Sequence, residues 1–239
     1  MILTRQLRSR RPVALVGLAT AGLLLSGCGS SLGIHPGSAA VIGDETVSMS
    51  KIDSTSTLFC TVYVEQAESS QQQQSGPLPM GSFRSFTAAS LAKRLLGEQL
   101  AAQYGVQPAS GYQQAVTQYQ QALASSPPDE REAAIEVAGA DAYLQNVQVA
   151  IGQQLTGNFG QSNADLKAAL ARGKVSTQDW LDDHEASIDP VFGISVDDGA
   201  FTAQREQTSY PLSTFASQGA QPQPDSDFVS ALPAAQRCG

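Results

Sequence analysis

Residues 129–155 read DEREAAIEVAGADAYLQNVQVAIGQQL, and their spacing predicts one long helix. Pro127-Pro128 stand in front of it, and proline is tolerated in a helix's first turn, where its missing N–H has no partner to lose. Ile135, Ala138, Ala142 and Val149 fall on one side, and Leu144, Ile151 and Leu155 on another. A helix that is apolar on two sides is buried between neighbours. The stretch therefore predicts a helical bundle with this segment at its centre.

The flanking sequence supplies the partners. Ser48 or Ser50 caps a first helix from about Lys51 to Ala67, with Ile52, Leu58, Phe59, Tyr63 and Val64 as its apolar positions. Ser69 to Pro79, with four consecutive glutamines, reads as a surface loop because it cannot bury enough to offset ordering. Ser82 or Ser85 opens a second helix whose Leu91, Leu95, Leu96 and Leu100 keep helical spacing. Gly105 and Pro108 stop it. A third opens at Ser110, with Gln113 placed for a capping box. Its stripe is Tyr112, Val116, Tyr119 and Leu123.

Beyond Leu155, Thr156 to Gly160 is a loop. Asn163 caps a short helix that stops at Gly173, and Ser176 with Asp179 opens another leading into Trp180. Ala39 to Ser48 holds two β-prone pieces around Gly43-Asp44, and Asp189 to Val196 reads as extended. From about Thr202 the chain is Gln, Ser and Pro rich and reads as irregular. The fold class is mainly α, with short strands near both ends that are expected to pair with each other.

The opening residues carry a different message. Arg5, Arg8, Arg10 and Arg11 precede a weakly polar to apolar run from Val13 to Leu25, which ends in Leu25-Ser26-Gly27-Cys28. This is the layout of a secretory signal over residues 1–27. The run is shorter than the ~20 residues a membrane span needs. Leu-Ser-Gly-Cys resembles a lipobox, which implies diacylglycerol on the Cys28 thiol and a free amine after cleavage. Each buried acyl CH₂ contributes about 0.8 kcal/mol, so two chains make a stable anchor. Residues 28–38, rich in Gly and Ser, read as a flexible tether. The expected location is the extracytoplasmic face of a cell membrane.

The whole chain has 14 basic and 22 acidic residues, a net charge of −8, and losing the leader removes basic residues only. Such an acidic surface disfavours nucleic acid. With Cys28 lipidated, Cys60 and Cys238 remain as an even pair in an oxidising compartment. A Cys60–Cys238 disulfide would pin the tail, residues 201–239, to the helical domain at residues 39–200. The alternative is two free thiols, one of them exposed and reactive.

Ala39-Ala40-Val41-Ile42-Gly43-Asp44-Glu45-Thr46-Val47-Ser48 followed by a helix resembles the opening of SurA-like and PrsA-like envelope foldases. Asp189-Pro190-Val191-Phe192-Gly193 resembles their closing extended segment. The resemblance spans residues 39–196 and implies the SurA N-terminal chaperone fold. Cys28, the alanine-rich composition and Arg237-Cys238-Gly239 look like lipoproteins of high-GC Gram-positive bacteria. The chain departs from the pattern in having Gly43-Asp44, Asp189 and Val191 where Asn-Gly, Asn and Arg are usual. The family's parvulin isomerase domain takes on the order of 100 residues, and the stretch between Leu155 and Asn163 cannot hold it.

The chemistry points the same way. His35 falls in the tether. His184 lies in Asp182-Asp183-His184-Glu185, which reads as a solvated helix end more readily than as a metal site. No Gly-x-Ser-x-Gly occurs in a strand-turn-helix context, and there is no CxxC, zinc spacing or phosphate loop. No catalytic residue, metal or cofactor is expected. Tyr112, Val116, Tyr119 and Tyr143 have two readings: packing at the edge of the core, or a groove for extended polypeptide. The expectation is a non-enzymatic, chaperone-like lipoprotein whose partners are unfolded or secreted polypeptides. The alternative is a structural adaptor that docks one envelope protein.

Overall fold

The computed structural model describes residues 36–69, 76–197, 199–204, 211–221 and 223–239. The expected signal at residues 1–27, the Cys28 lipidation site and the tether to residue 35 lie outside the described residues. Residues 35–239 form one compact unit, and no described helix is long and apolar enough to cross a membrane.

The chain enters as a hairpin. Strand β1 (Ser38–Ile42) pairs antiparallel with β2 (Glu45–Ser48), Ile42 opposite Glu45. Gly43 makes the turn at φ 58°, in the left-handed region that favours glycine. A Cβ there would also stand 3.1 Å from the Trp180 ring. The other edge of β1 pairs antiparallel with β4 (Ala186–Ile188), Ala40 opposite Ile188 and Ile42 opposite Ala186. The two ends of the domain thus close on each other, but through residues 186–188 rather than through the expected extended segment from Asp189 to Val196. The order is β2-β1-β4, so β1 is central, and Ala39 to Ile42 are buried.

Helix α1 (Met49–Ser69) follows, its Lys51 N–H donating to Ser48 Oγ at 3.2 Å. After β3 (Leu78–Pro79) comes α2 (Met80–Tyr104), which buries Leu91, Leu95, Leu96 and Leu100. Gly105 ends it in the left-handed conformation at φ 63°. Helix α2 starts earlier than its expected caps: Pro79 is the N-cap, so neither Ser82 nor Ser85 caps it. Helix α3 (Ser110–Ala122) likewise has Ala109 at its N-cap with no side-chain bond, and the expected Ser110–Gln113 capping box does not form.

The long helix over residues 129–155 is two helices, α4 (Pro128–Ala138) and α5 (Ala140–Thr156), with Gly139 between them. A Cβ on Gly139 would lie 2.6 Å from the Ile135 carbonyl oxygen, so the close turn there requires glycine. The first stripe is divided between them, Ile135 and Ala138 on α4 and Ala142 and Val149 on α5, whereas Leu144, Ile151 and Leu155 all lie on α5.

The opposite correction holds for α6 (Asn163–Asp183), which is continuous where two short helices were expected. Ser162, not Asn163, caps it, its side chain accepting from the Asp165 N–H. Gly173 does not stop α6. It lies against the Gln148 backbone of α5, just as Gly152 of α5 lies against the Ala169 backbone. A helix tolerates interior glycine at a cost of roughly 1 kcal/mol relative to alanine, and here the missing side chains let the two backbones approach.

The closing segment is also less extended than its sequence implies. Asp189 Oδ1 accepts from the Val191 N–H and caps a 3₁₀ turn, Pro190–Phe192, that buries Phe192. Strands β5 (Ile194–Asp197) and β6 (Ala200–Ala203) then form an antiparallel pair. The tail contains α7 (Thr214–Gly219), α8 (Ser226–Ser230), a 3₁₀ turn at Ala234–Gln236 and β7 (Arg237–Cys238), so its described part is not irregular. β7 pairs with β3, Cys238 opposite Leu78. The main core joins Ile42, Ile52, Leu96, Ile151, Trp180 and Phe192, linking the sheet to α1, α2, α5 and α6.

Candidate functional site

Helix α3 has a half-buried apolar face and buries no residue of its own. Tyr112, Val116 and Tyr119 are all half-buried, as is Tyr143 of α5. Tyr112 and Tyr143 meet edge to face, ring centroids 5.0 Å apart. Arg94 of α2 lies 4.6 Å from the Tyr143 centroid and donates to the Tyr112 hydroxyl at 2.9 Å. The Tyr119 hydroxyl donates to the Ala138 carbonyl oxygen at 3.2 Å. The three tyrosines thus stand where α3 meets α2, α4 and α5.

The electrostatics follow from this packing. Burial opposes the Arg94 charge, but the Tyr112 hydrogen bond and the nearby Tyr112, Glu98 and Tyr143 groups outweigh it, and the Arg94 pKa rises above its ordinary value. Burial raises the Tyr143 pKa, Glu98 adds to the rise, and Arg94 partly offsets it. Both Arg94 and Tyr143 keep their ordinary protonation at neutral pH.

Beside α3 lies a cleft of about 430 Å³, bounded by α3, α5 and α6. Its apolar part is Val149, Leu166 and Leu170, and its polar part is Gln114, Gln145, Asn146, Gln161 and Ser110. Lys167 is its one charged lining residue. Three local features build it. The residues on α5 and α6 recur at helical spacing, 145, 146 and 149 on one and 166, 167 and 170 on the other. The Ala109 N–H donates to the Asn146 carbonyl oxygen at 3.0 Å, which fixes the start of α3 on α5. Gly111 leaves room for the Asn146 amide, whose Oδ1 would stand 2.6 Å from a Cβ at that position.

The polar side chains of the cleft are only partly used. Asn146 Nδ2 donates to the Ala142 carbonyl oxygen, and Gln161 Nε2 to that of Phe159. The side-chain amides of Gln114 and Gln145 have no hydrogen-bond partner among the described residues. The volume lies at the small end of the ~300–1,000 Å³ typical of ligand pockets. An apolar floor with amides along its rim is chemically suited to a peptide, whose backbone needs both donors and acceptors.

Sequence reasoning reached none of the cleft's polar residues. Gln114 sits in the same helix as the tyrosine stripe but lines the cleft, and nothing in the sequence marks it apart from neighbouring glutamines.

Two other features frame the site. Phe59 and Tyr63 of α1 meet Phe83 and Phe86 of α2, with centroid distances of 5.3–5.8 Å. Tyr63 is 40% and Phe86 49% exposed, so this cluster reaches the surface beside Cys60. His184, at the end of α6, stacks on Trp180 at 4.1 Å, and its Nδ1 lies 2.7 Å from the Trp180 carbonyl oxygen. Among the described residues no group of three or more His, Cys, Asp or Glu side chains could hold a metal ion.

No family model matches the chain, and neither a curated protein nor a solved structure matches it.

Proposed function

We propose that the chain is an extracytoplasmic lipoprotein, anchored through Cys28, whose helical domain binds polypeptide without enzymatic turnover, in the manner of a SurA-like chaperone module. The observation that carries this reading is the α3–α5–α6 cleft, with its apolar floor and unpartnered amides. The signal-like residues 1–27 and the lipobox support export. The Cys60–Cys238 disulfide fits the same compartment, since such bridges persist where the surroundings are oxidising. On this reading Tyr112, Val116, Tyr119 and Tyr143 serve the client chiefly by holding α3 beside the cleft.

The test is suppression of aggregation. Residues 36–239, made in an oxidising compartment, are mixed with a chemically denatured client at rising molar ratios. Stoichiometric suppression across unrelated clients is expected. Its absence with every client would remove the chaperone reading.

The second reading, an adaptor docking one envelope protein, is favoured by the exposed aromatic cluster of Phe59, Tyr63, Phe83 and Phe86. Aromatic residues are enriched where proteins bind each other. Replacing Phe86 and Tyr63 by Ser would then abolish capture of that single partner while leaving aggregation assays unchanged.

A further inference from the structure

Lys167 differs from the cations in another cavity of the domain. That cavity, about 290 Å³ between β2, α1, α2 and α4, holds Lys51, Arg94, Glu98 and Glu136. Its charges are already matched: Lys51 Nζ lies 2.7 Å from Glu136, and Arg94 Nε 3.0 Å from Glu98. Lys167 is exposed on the rim of the α3–α5–α6 cleft and makes no ion pair or hydrogen bond among the described residues. The nearest acid in sequence, Asp165, is held instead by Ser162 and Asn158. In a chain of net charge −8, the cleft therefore offers an unmatched positive charge beside an apolar floor and free amides.

We propose that this cleft receives the C-terminal end of a polypeptide. The terminal carboxylate pairs with the Lys167 ammonium, the last side chain rests on Val149, Leu166 and Leu170, and the backbone meets the amides of Gln114, Gln145 and Asn146. Three observations argue for a chain end rather than the middle of a strand. The cleft is small, its charge is single and positive beside an apolar floor, and only at a C-terminus does one residue carry both a carboxylate and an apolar side chain. Capture of a terminal carboxylate is a general mode of peptide recognition. Amides that both donate and accept suit any backbone, so selectivity falls on the charge and on the apolar last side chain. The inference rests on the polypeptide-binding reading and narrows it.

The test uses the full chain in mild detergent and two libraries of random six-residue peptides, one ending in free carboxylates and one amidated. Retained peptides are counted by mass spectrometry at low salt. At least tenfold greater retention of the free-acid set is expected, with apolar last residues enriched. Lys167→Gln removes the preference and Lys167→Arg keeps most of it. Circular dichroism and melting temperature should not change in either variant, because the side chain is exposed and unpartnered. Equal retention of the two libraries, or a preference that survives Lys167→Gln, overturns the proposal. Aggregation suppression by a chain that shows no carboxylate preference overturns the C-terminal site alone and leaves polypeptide binding standing. Loss of both peptide retention and suppression overturns both.

Discussion

Cys60, midway along α1, and Cys238, the next-to-last residue, are joined by a disulfide that brings their Cα atoms to 5.8 Å across 178 residues of chain. Phe83 is buried against the bridge, with Phe59, Val64, Leu78 and Met80 around it. The β3–β7 pairing adds only two residue pairs to hold the tail. The covalent bond, this short pairing and the buried Val229 together hold the last segment of the chain.

Breaking that bond should therefore cost more than its local packing implies. Closing so long a loop restricts the unfolded chain by roughly 5 kcal/mol in the chain-entropy model, an upper figure for what Cys60→Ser with Cys238→Ser would lose. Urea unfolding with and without reductant measures it. The unreduced protein should melt well above the reduced one, and the double variant should match the reduced protein. Melting temperatures that do not move would show that the pair carries no stability.

Gly152 and Gly173 set the spacing of α5 and α6. Gly173→Val drives a branched side chain into the Gln148 backbone, and Gly152→Val does the same at Ala169. Backbone cannot swing aside as a long side chain can. Overpacking of this kind costs about 1–3 kcal/mol or more. Each variant should lower the urea midpoint, whereas Gly157→Asn, in a left-handed loop position with open space around it, should change it little. The same substitutions should widen or misalign the cleft, lowering client suppression at temperatures where the variant is still folded.

Two carboxyl groups should respond to pH in opposite directions. Burial raises the Glu130 pKa, with Glu65 and Asp129 adding to the rise, and its Oε2 has no hydrogen-bond partner. The folded state then binds that proton more tightly than the unfolded one, so ionised Glu130 is destabilising above its folded pKa and the penalty fades as pH falls through it. Glu130→Gln should raise the melting temperature at pH 7, with the gain vanishing in acid. Asp165 is the reverse. The Ser162 hydrogen bond, with that of Asn158, lowers its pKa. Its contribution is present above the ordinary aspartate range and is lost as pH falls through the lowered value. Asp165→Asn should lower the melting temperature at pH 7 and converge with the parent protein in acid. Melting curves from pH 3 to 8 read both signs.

The tyrosine hydroxyls predict a difference between packing and binding. Tyr119→Phe removes the bond to Ala138, and Tyr112→Phe the bond from Arg94. Each should cost about 0.5–1.5 kcal/mol. Hydrogen exchange should quicken in α3 while client suppression, measured well below the melting temperature, holds. Tyr112→Ala with Tyr119→Ala removes the rings as well and should loosen α3 enough to lower suppression. Suppression falling sharply in the Phe variants, with α3 exchange unchanged, would mean that the hydroxyls contact the client directly.

Much of the helical layout was legible in the residues. Leu91, Leu95, Leu96 and Leu100 announced α2, and Gly105 its end, because a helix must bury its apolar stripe and left-handed geometry favours glycine. With Cys28 set aside as an expected lipidation site, Cys60 and Cys238 are a candidate pair with two free thiols as the alternative, and the structure joins them. The same signals failed where glycine had a second use. Gly173 reads as a stop and is a contact point, while Gly139 lies inside the stretch expected as one helix and is a break. The role of Gly173 depends on the Gln148 backbone that lies opposite, and that is not written locally.

The sequence by itself determined the mainly helical class with short strands, and it left Cys60 and Cys238 as a candidate pair, since periodicity, turn residues and cysteine number are properties of the chain read in order. Only the tertiary structure decided that β1 would lie between β2 and β4, that α5 and α6 would touch through glycine, and that Gln114, Gln145, Asn146 and Lys167 would share one cleft. Those residues are polar and unremarkable in sequence. What joins them is the packing of three helices whose buried faces fix where their exposed faces meet.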